Sequence, residues 1–280
     1  MTETVNCREQ RLEAAARNTF DVLVVGGGIV GAGVARDAQM RGLRVLLVDQ
    51  ADFASGTSSR SSRLLHGGLR YLAQGRIGLV REASREKVLL RRLAPHLCQP
   101  LPFVFPVWRG DPWSFWKLAA GVHVYDALCG GRNFGRSAAY GDSTIRKKLP
   151  GLRSGGLRGA VRYFDALTND ARLVLETLHA AESAGAVLLN YAAFRSPESD
   201  GSGWRGVLCD GISKRFVEVS ARAVVNATGA WADRLAPSSV HLRLTKGCHL
   251  VIDRSRLPVE EAVVQPRASA SCSSSRGANG

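Results

Sequence analysis

The segment Asp21-Val-Leu-Val-Val-Gly26-Gly27-Gly28-Ile29-Val30-Gly31, followed by Leu43-Arg-Val-Leu-Leu-Val-Asp49, spaces glycines and an acid as a dinucleotide requires. The pattern reads as strand, tight turn, helix, second strand and terminal carboxylate. Gly26 makes the turn, Gly28 lets a pyrophosphate approach the backbone, and Gly31 lets helix and strand pack closely. The helix N-terminus faces the anion, and Asp49 accepts hydrogen bonds from a ribose. Glycine turns are common and a plain crossover carries them too. The apolar strand before the turn, the helical stretch from Ile29 to Arg41 and the acid after it favour the dinucleotide.

Two other stretches carry groups able to meet such a ligand. Ser55-Gly56-Thr57-Ser58-Ser59-Arg60-Ser61-Ser62 leads to His66-Gly67-Gly68-Leu69-Arg70-Tyr71. Short hydroxyl side chains and glycines there let amides converge on an anion or a flat ring; the alternative is a flexible serine-rich loop. Further on, Ala221 to Asp233 reads as a buried strand running through Thr228-Gly229 into a new helix, a second place for amides to face a ligand.

The elements that must hold these groups follow from periodicity. Residues 1–20 read as a loosely held leader, helical from Arg11 to Arg17, and the strand-helix-strand unit fills 21–49. Residues 78–93 have helical spacing with a charged face of Arg81, Glu82, Arg85, Glu86, Lys87, Arg91 and Arg92. Such a face is solvated or meets a membrane or partner. A strand is predicted over Phe103 to Val107 and a helix start at Pro112. The nearby Trp108, Trp113, Phe115 and Trp116 fit either an interfacial surface or packing between domains. Asn169 caps a helix that stops at Gly185, and strands follow at 186–191, 206–210 and 215–219. Leu242 to Ile252 reads as an extended segment.

Composition narrows the function classes. The 280 residues hold 38 Lys and Arg against 24 Asp and Glu, a formal charge of +14. That charge is spread along the chain with no finger or RNA-binding signature, which argues against nucleic acid and leaves anionic small molecules or membrane surfaces. Six cysteines stand far apart without a CxxC, so neither a disulfide framework nor a metal site is predicted, and a reducing compartment is expected. The N-terminus lacks the apolar core of a secretory signal, and no run reaches the 18 or so apolar residues of a membrane span.

Taken together, the blocks GGGIVGAG, DFASGTSSRSSRLLHGGLRYL, LPFVFPVW, VRYFDALTNDARLVLETL, VVNATGAWAD and RLTKGCHLVI resemble the FAD-dependent, quinone-linked glycerol-3-phosphate dehydrogenases from about Phe20 to Val264. The resemblance implies an α/β fold: a Rossmann-like FAD-binding domain interleaved with a substrate domain that contains an antiparallel sheet, with a C-terminal cap domain beyond. On it, residues 21–98 and 161–235 form the FAD-binding part, 99–160 and 236–265 belong to the substrate part, and 266–280 form a tail outside the family. Asp49 stands where the family often has glutamate, Arg63 where lysine is frequent, and Ala230 where proline is frequent.

The implied reaction oxidises the C2 hydroxyl of glycerol 3-phosphate to dihydroxyacetone phosphate, with hydride passing to flavin N5 and electrons to a membrane quinone. Gly26, Gly28, Gly31, Asp49, Ser58, Ser59, His66, Gly67, Gly229 and Trp231 are the implied FAD contacts. Arg70 and Tyr71 are the implied substrate contacts, His249 the base, and Lys246 an additional anchor. Read alone, Arg70 reads as a surface arginine and His249 as a structural histidine of an alternating strand. No metal is implied. A location in the cytoplasm, peripheral on the inner face of the cell membrane, is expected, and a homodimer is compatible with the pattern. A glycerol-3-phosphate oxidase, another oxidase of the same fold and a noncatalytic remnant are the rival readings.

From Pro266 the apolar pattern ends. A shifted reading of plausible codons there restores a strand and a Pro-Trp-Gly turn of the family's kind, so a frameshifted end is favoured over a low-complexity terminus. On that view the cap is absent, and the chain is expected to hold FAD poorly and to turn over little.

Overall fold

The computed structural model describes residues 2–72, 74–130, 133–235, 237–256 and 261–264. In chain order the elements are α1 (Thr2–Arg17), β1 (Thr19–Val25), α2 (Ile29–Met40), β2 (Val45–Val48), β3 (Leu64–Leu65), α3 (Leu69–Leu72), α4 (Ile77–Leu93), β4 (Gln99–Trp108) and α5 (Phe115–Leu128). They continue as β5 (Ala138–Gly141), α6 (Asp142–Lys148), β6 (Leu157–Leu167), α7 (Asp170–Ser183), β7 (Val187–Leu189), β8 (Ala192–Ser199), β9 (Trp204–Asp210), β10 (Phe216–Asn226) and β11 (Ala262–Val263). The chain forms two compact units, Met1–Arg63 with Asn169–His249 and Leu64–Thr168 with Leu250–Gly280. Expected boundaries at 98/99 and 160/161 thus move to 63/64 and 168/169. The reason is pairing: Leu64 and Leu65 bond to β6, and β6 bonds along the length of β4.

The first unit is a six-stranded sheet in the order β7-β2-β1-β10-β9-β8. The pairs from β7 to β10 are parallel, and those from β10 to β8 are antiparallel. All four residues of β2 are buried, Val45 and Leu47 in one core and Leu46 and Val48 in another. Successive strand residues face opposite sides, so such a run requires both faces of the sheet to be covered. Ala32 and Ala35 of α2 with Val174 and Leu178 of α7 cover one face. Leu12 and Ala15 of α1 cover the other, among Leu23, Leu46 and Leu208.

Residues 2–20 are therefore not a loose leader. Besides its buried apolar side chains, α1 is tied down by polar groups far away in sequence. The Arg8 guanidinium pairs with Asp210 and donates to the Asn190 carbonyl at 2.7 Å, and Arg11 pairs with Glu182 at 2.5 Å. Burial of Asp210 opposes its charge, but hydrogen bonds from Arg8 and Ser213 outweigh that and hold the carboxyl well below the usual range.

One strand, β10, replaces two expected ones. Its first half is antiparallel to β9 and its second half runs parallel to β1 as far as Val25 beside Asn226. The helix expected after it is a single short 3₁₀ turn, Gly229–Trp231.

In the second unit the sheet order is β11-β4-β6-β3, with β5 also on β6. Pro100, Pro102 and Pro106 sit at alternate positions of β4, so their missing donors fall on one edge while the ladder to β6 persists. α5, capped by Ser114 accepting from the Lys117 amide, packs Val122 and Tyr125 against Phe103, Val161 and Tyr163. Of the aromatic group, Trp108 is buried, with its indole N–H on the Arg153 carbonyl, while Trp116 is 78% exposed.

Leu242 to Ile252 is not the strand that its alternation suggests. Each of these residues is exposed and without regular structure, because a strand needs a partner and none pairs with it among the described residues. It lies mostly in the first unit, not at the start of the substrate sheet. No described helix is long and apolar enough to cross a membrane. The expected tail, 266–280, lies outside the described residues.

Candidate functional site

A cavity of about 750 Å³ opens in the first unit where Val25 ends β1, Asp49 follows β2 and Ala227 follows β10. This is the carboxyl edge of the parallel strands, where open α/β sheets bind ligands. Gly26 has φ +112°, and a Cβ there would come within 2.4 Å of the Ala227 carbonyl oxygen. A Cβ on Gly31 would stand 1.8 Å from the Gly26 oxygen, so α2 lies close to the turn only because both positions lack side chains. Gly28 is the N-cap of α2 with no side-chain cap of its own, and it lines the cavity with bare backbone.

The α2 N-terminus is met instead by the serine-rich loop. Ser58 Oγ accepts the Ile29 amide at 3.1 Å, and Ser58 lines the cavity. Ser59, expected beside it, turns away: its hydroxyl donates to the Ser55 and Gly56 carbonyls, and it is not among the lining residues. The loop is braced from below by Ala54, held at φ +60° with its amide on the Gly27 carbonyl at 2.9 Å.

Asp49 has two roles in this geometry. Its Oδ2 accepts the Gly27 amide at 2.7 Å and its Oδ1 the Ala51 amide at 2.9 Å, so it fixes the glycine turn while lining the cavity. Each oxygen keeps acceptor capacity for a ribose hydroxyl. Across the cavity, Asn226 Oδ1 accepts from the Thr228 hydroxyl at 2.7 Å, and its Nδ2 donates to the Ala232 carbonyl at 2.8 Å. That bracket holds Gly229, at φ +60°, and Trp231, both in the lining. The Trp231 ring would lie 3.2 Å from a Cβ on Gly56.

The remaining expected residues fall elsewhere. His249 and Lys246 belong to the first unit but are exposed and outside the cavity lining. His66, Gly67, Arg70 and Tyr71 belong to the second unit. His66 is exposed, whereas Gly67 is buried with its amide on Asp165 Oδ1 at 3.2 Å. Arg70 and Tyr71 share the short helix α3 that follows; the Arg70 side chain lies outside what the structure describes. Lys87, expected on a solvated face, is instead buried against Asp165 at 2.8 Å.

Several lining residues gave no local signal. Asp170, first residue of α7, accepts from the Ser61 hydroxyl at 2.5 Å across a gap of 109 positions. Arg195 lines the cavity at a register shift of β8, where Ser196 has φ +49°. A bulge of this kind re-aims a side chain, and nothing in Phe194-Arg195-Ser196-Pro197 announces it. With Arg234, Arg195 brings positive charge to a lining whose acids are Asp49 and Asp170. Bare backbone at a helix N-terminus, an acid placed for a ribose, a flat indole and two arginines make a donor set that fits a flavin dinucleotide.

Comparison with known proteins agrees with this arrangement. The model of the DAO family, FAD dependent oxidoreductase, matches residues 21–275, past residue 265 where the resemblance was expected to end. The chain is 37% identical over 263 residues to the aerobic glycerol-3-phosphate dehydrogenase of Staphylococcus saprophyticus, covering 91% of this chain and 47% of that protein. It is 41% identical over 252 residues to glycerol-3-phosphate dehydrogenase 2 of Mycobacterium tuberculosis, covering 88% of this chain and 43% of the relative. The crystal structure of the Bacillus halodurans glycerol-3-phosphate dehydrogenase complexed with FAD superposes with a TM-score of 0.70 at 30% identity, over 92% of this chain and 45% of that one. The chain thus spans about half the length of the curated relatives it matches. On the family match, the fold and the cavity at its strand ends, the chain belongs to the DAO family of FAD-dependent oxidoreductases, whose cofactor is FAD.

Proposed function

We propose that this chain carries the FAD-binding part and a portion of the substrate part of a glycerol-3-phosphate dehydrogenase that passes electrons to a membrane quinone. The observation that carries the reading is the convergence of Gly28, Ser58, Asp49 and Trp231 on one cavity, in a chain about 40% identical to proteins of that name. The α2 N-terminus and the Ser58 hydroxyl would hold the pyrophosphate and Asp49 the ribose, and the Gly229–Trp231 turn would help hold the rest of the cofactor. When bound, FAD supplies the hydride acceptor for oxidation of a secondary alcohol.

Arg70 and Tyr71 bind the substrate phosphate, for which a planar guanidinium and a phenol are suited donors. His249 takes the C2 hydroxyl proton, an imidazole being able to do so near neutral pH. Lys246 helps hold the anionic groups. The exposed arginines of α4 and Trp116 of α5 fit docking on an anionic membrane at the inner face of the cell membrane, close to a quinone pool.

The test is anaerobic addition of glycerol 3-phosphate to the purified chain saturated with FAD. Slow, incomplete bleaching of the visible flavin band by glycerol 3-phosphate, and none by glycerol, glycine or proline, is the expected result. Bleaching by an amino acid instead would overturn the substrate assignment. Re-oxidation by a quinone analogue faster than by dioxygen separates a dehydrogenase from an oxidase.

A further inference from the structure

Lys87 lies on a helix whose Arg81, Arg85, Arg91 and Arg92 are exposed, yet only 2% of its own side chain is accessible. Its Nζ donates to Asp165 Oδ1 at 2.8 Å, Asn133 Oδ1 at 3.1 Å and the Phe164 carbonyl at 3.4 Å, and sits 5.0 Å from the Phe134 ring centre. Asp165 Oδ1 also accepts the Tyr125 hydroxyl at 2.7 Å and the Gly67 amide at 3.2 Å. Three donors from three parts of the second unit therefore meet on one buried oxygen.

Such a pair adds little stability over apolar residues of the same volume, so its use lies in the geometry it imposes. At the end of the network is a backbone group. A Cβ on Gly67 would stand 2.1 Å from the Tyr125 hydroxyl oxygen, so this turn sits directly on the network. Gly68 follows at φ +75°, where a Cβ would meet the Tyr71 ring at 2.4 Å. The helix α3, with Arg70 and Tyr71, begins at the next residue.

We propose that Asp165 is a positioning residue whose buried Oδ1, with its charge balanced by Lys87, anchors the Gly67 amide, and through that turn sets the placement of Arg70 and Tyr71 for a phosphate-bearing substrate. The proposal rests on the substrate reading of Arg70 and Tyr71 given above. Neither Lys87 nor Asp165 touches the substrate; Asp165 acts through the turn.

Two double variants of the FAD-saturated chain separate this role from a merely structural one. Lys87→Met with Asp165→Leu removes both charges and the acceptor for Gly67; Lys87→Met with Asp165→Asn removes both charges and keeps the acceptor. Thermal midpoint, amide exchange of the peptide spanning residues 66–72, flavin content and half-saturating glycerol 3-phosphate are measured for each. The leucine variant should keep its flavin, exchange about tenfold faster in that peptide, and need about tenfold or more substrate. The asparagine variant should match the wild type in both. Wild-type exchange in the leucine variant, or equal loosening in the two variants, overturns the anchor. If the leucine variant fails to fold, the asparagine variant decides: wild-type exchange supports the anchor and loosening removes it. A chain that an amino acid reduces and glycerol 3-phosphate does not sinks the substrate reading, while the exchange comparison still decides the anchor.

Discussion

Ser58 Oγ stands 3.1 Å from the Ile29 amide, so a hydroxyl from the loop after β2 caps the helix that the glycine turn begins. The cap and the anion site are one place, because the first-turn amides of α2 have no intrahelical acceptor. Ser58→Ala should therefore cost about 1 kcal/mol in the flavin-free chain and weaken FAD binding. Thermal melts and a flavin titration read the two effects; an unchanged affinity would separate the loop from the cofactor.

Gly31→Ala should be far more damaging than its one added carbon suggests. The new Cβ would fall 1.8 Å from the Gly26 oxygen, which only backbone movement can relieve. Gly33→Ala, two residues away, meets nothing within 4 Å and serves as the control. Loss of flavin affinity in the first variant, with the second unaltered, is the expected outcome.

Arg8→Ala should destabilise the first unit by about 3 kcal/mol, since it leaves Asp210 buried without its cation. The folded carboxyl of Asp210 is depressed below its unfolded value of 3.8. Its contribution is thus fully present above about pH 4 and is lost as the pH falls further toward the folded value. Urea melts across that acid range should show a shallower slope in Arg8→Ala than in the wild type.

Burial, and then the neighbouring Asp165 charge, push the Tyr125 hydroxyl well above the ordinary phenol value. The neutral form is the one the fold favours, so this contribution holds below about pH 10 and is lost as the pH rises above it. A difference titration of Tyr125→Phe against wild type should show no missing phenolate signal until the chain unfolds.

In an enzyme with its cap domain intact, His249→Ala should leave bound flavin nearly unchanged and slow its reduction by glycerol 3-phosphate. Normal reduction would remove His249 from the chemistry. For the α4 face, co-sedimentation with anionic vesicles should fall steeply with added salt, and Arg81→Ala with Arg85→Ala should mimic that loss.

Much of the nucleotide half was legible because its determinants are local. Gly26, Gly28, Gly31 and Asp49 lie within one strand-helix-strand unit, and their spacing constrains the turn whatever surrounds it. The helix of α7 was equally plain, with Asn169 accepting the Arg172 amide at 3.1 Å as a side-chain cap. Leu242 to Ile252 misled for the complementary reason: alternation describes a strand's faces but not the partner that makes it one.

By itself the sequence determined the family, the cofactor fingerprint and the order of most helices and strands, since each depends on steric and periodic rules acting over a few residues. Tertiary structure decided what depends on distant pairing. It folded α1 onto β7 and β10 through Leu12 and Ala15, tied it to the end of β9 through Arg8, and brought Ser61 to Asp170. It also turned Lys87 from a presumed surface charge into the buried partner of Asp165. A charged side chain carries no local mark of its burial; that is set by which carboxylate the rest of the chain places beside it.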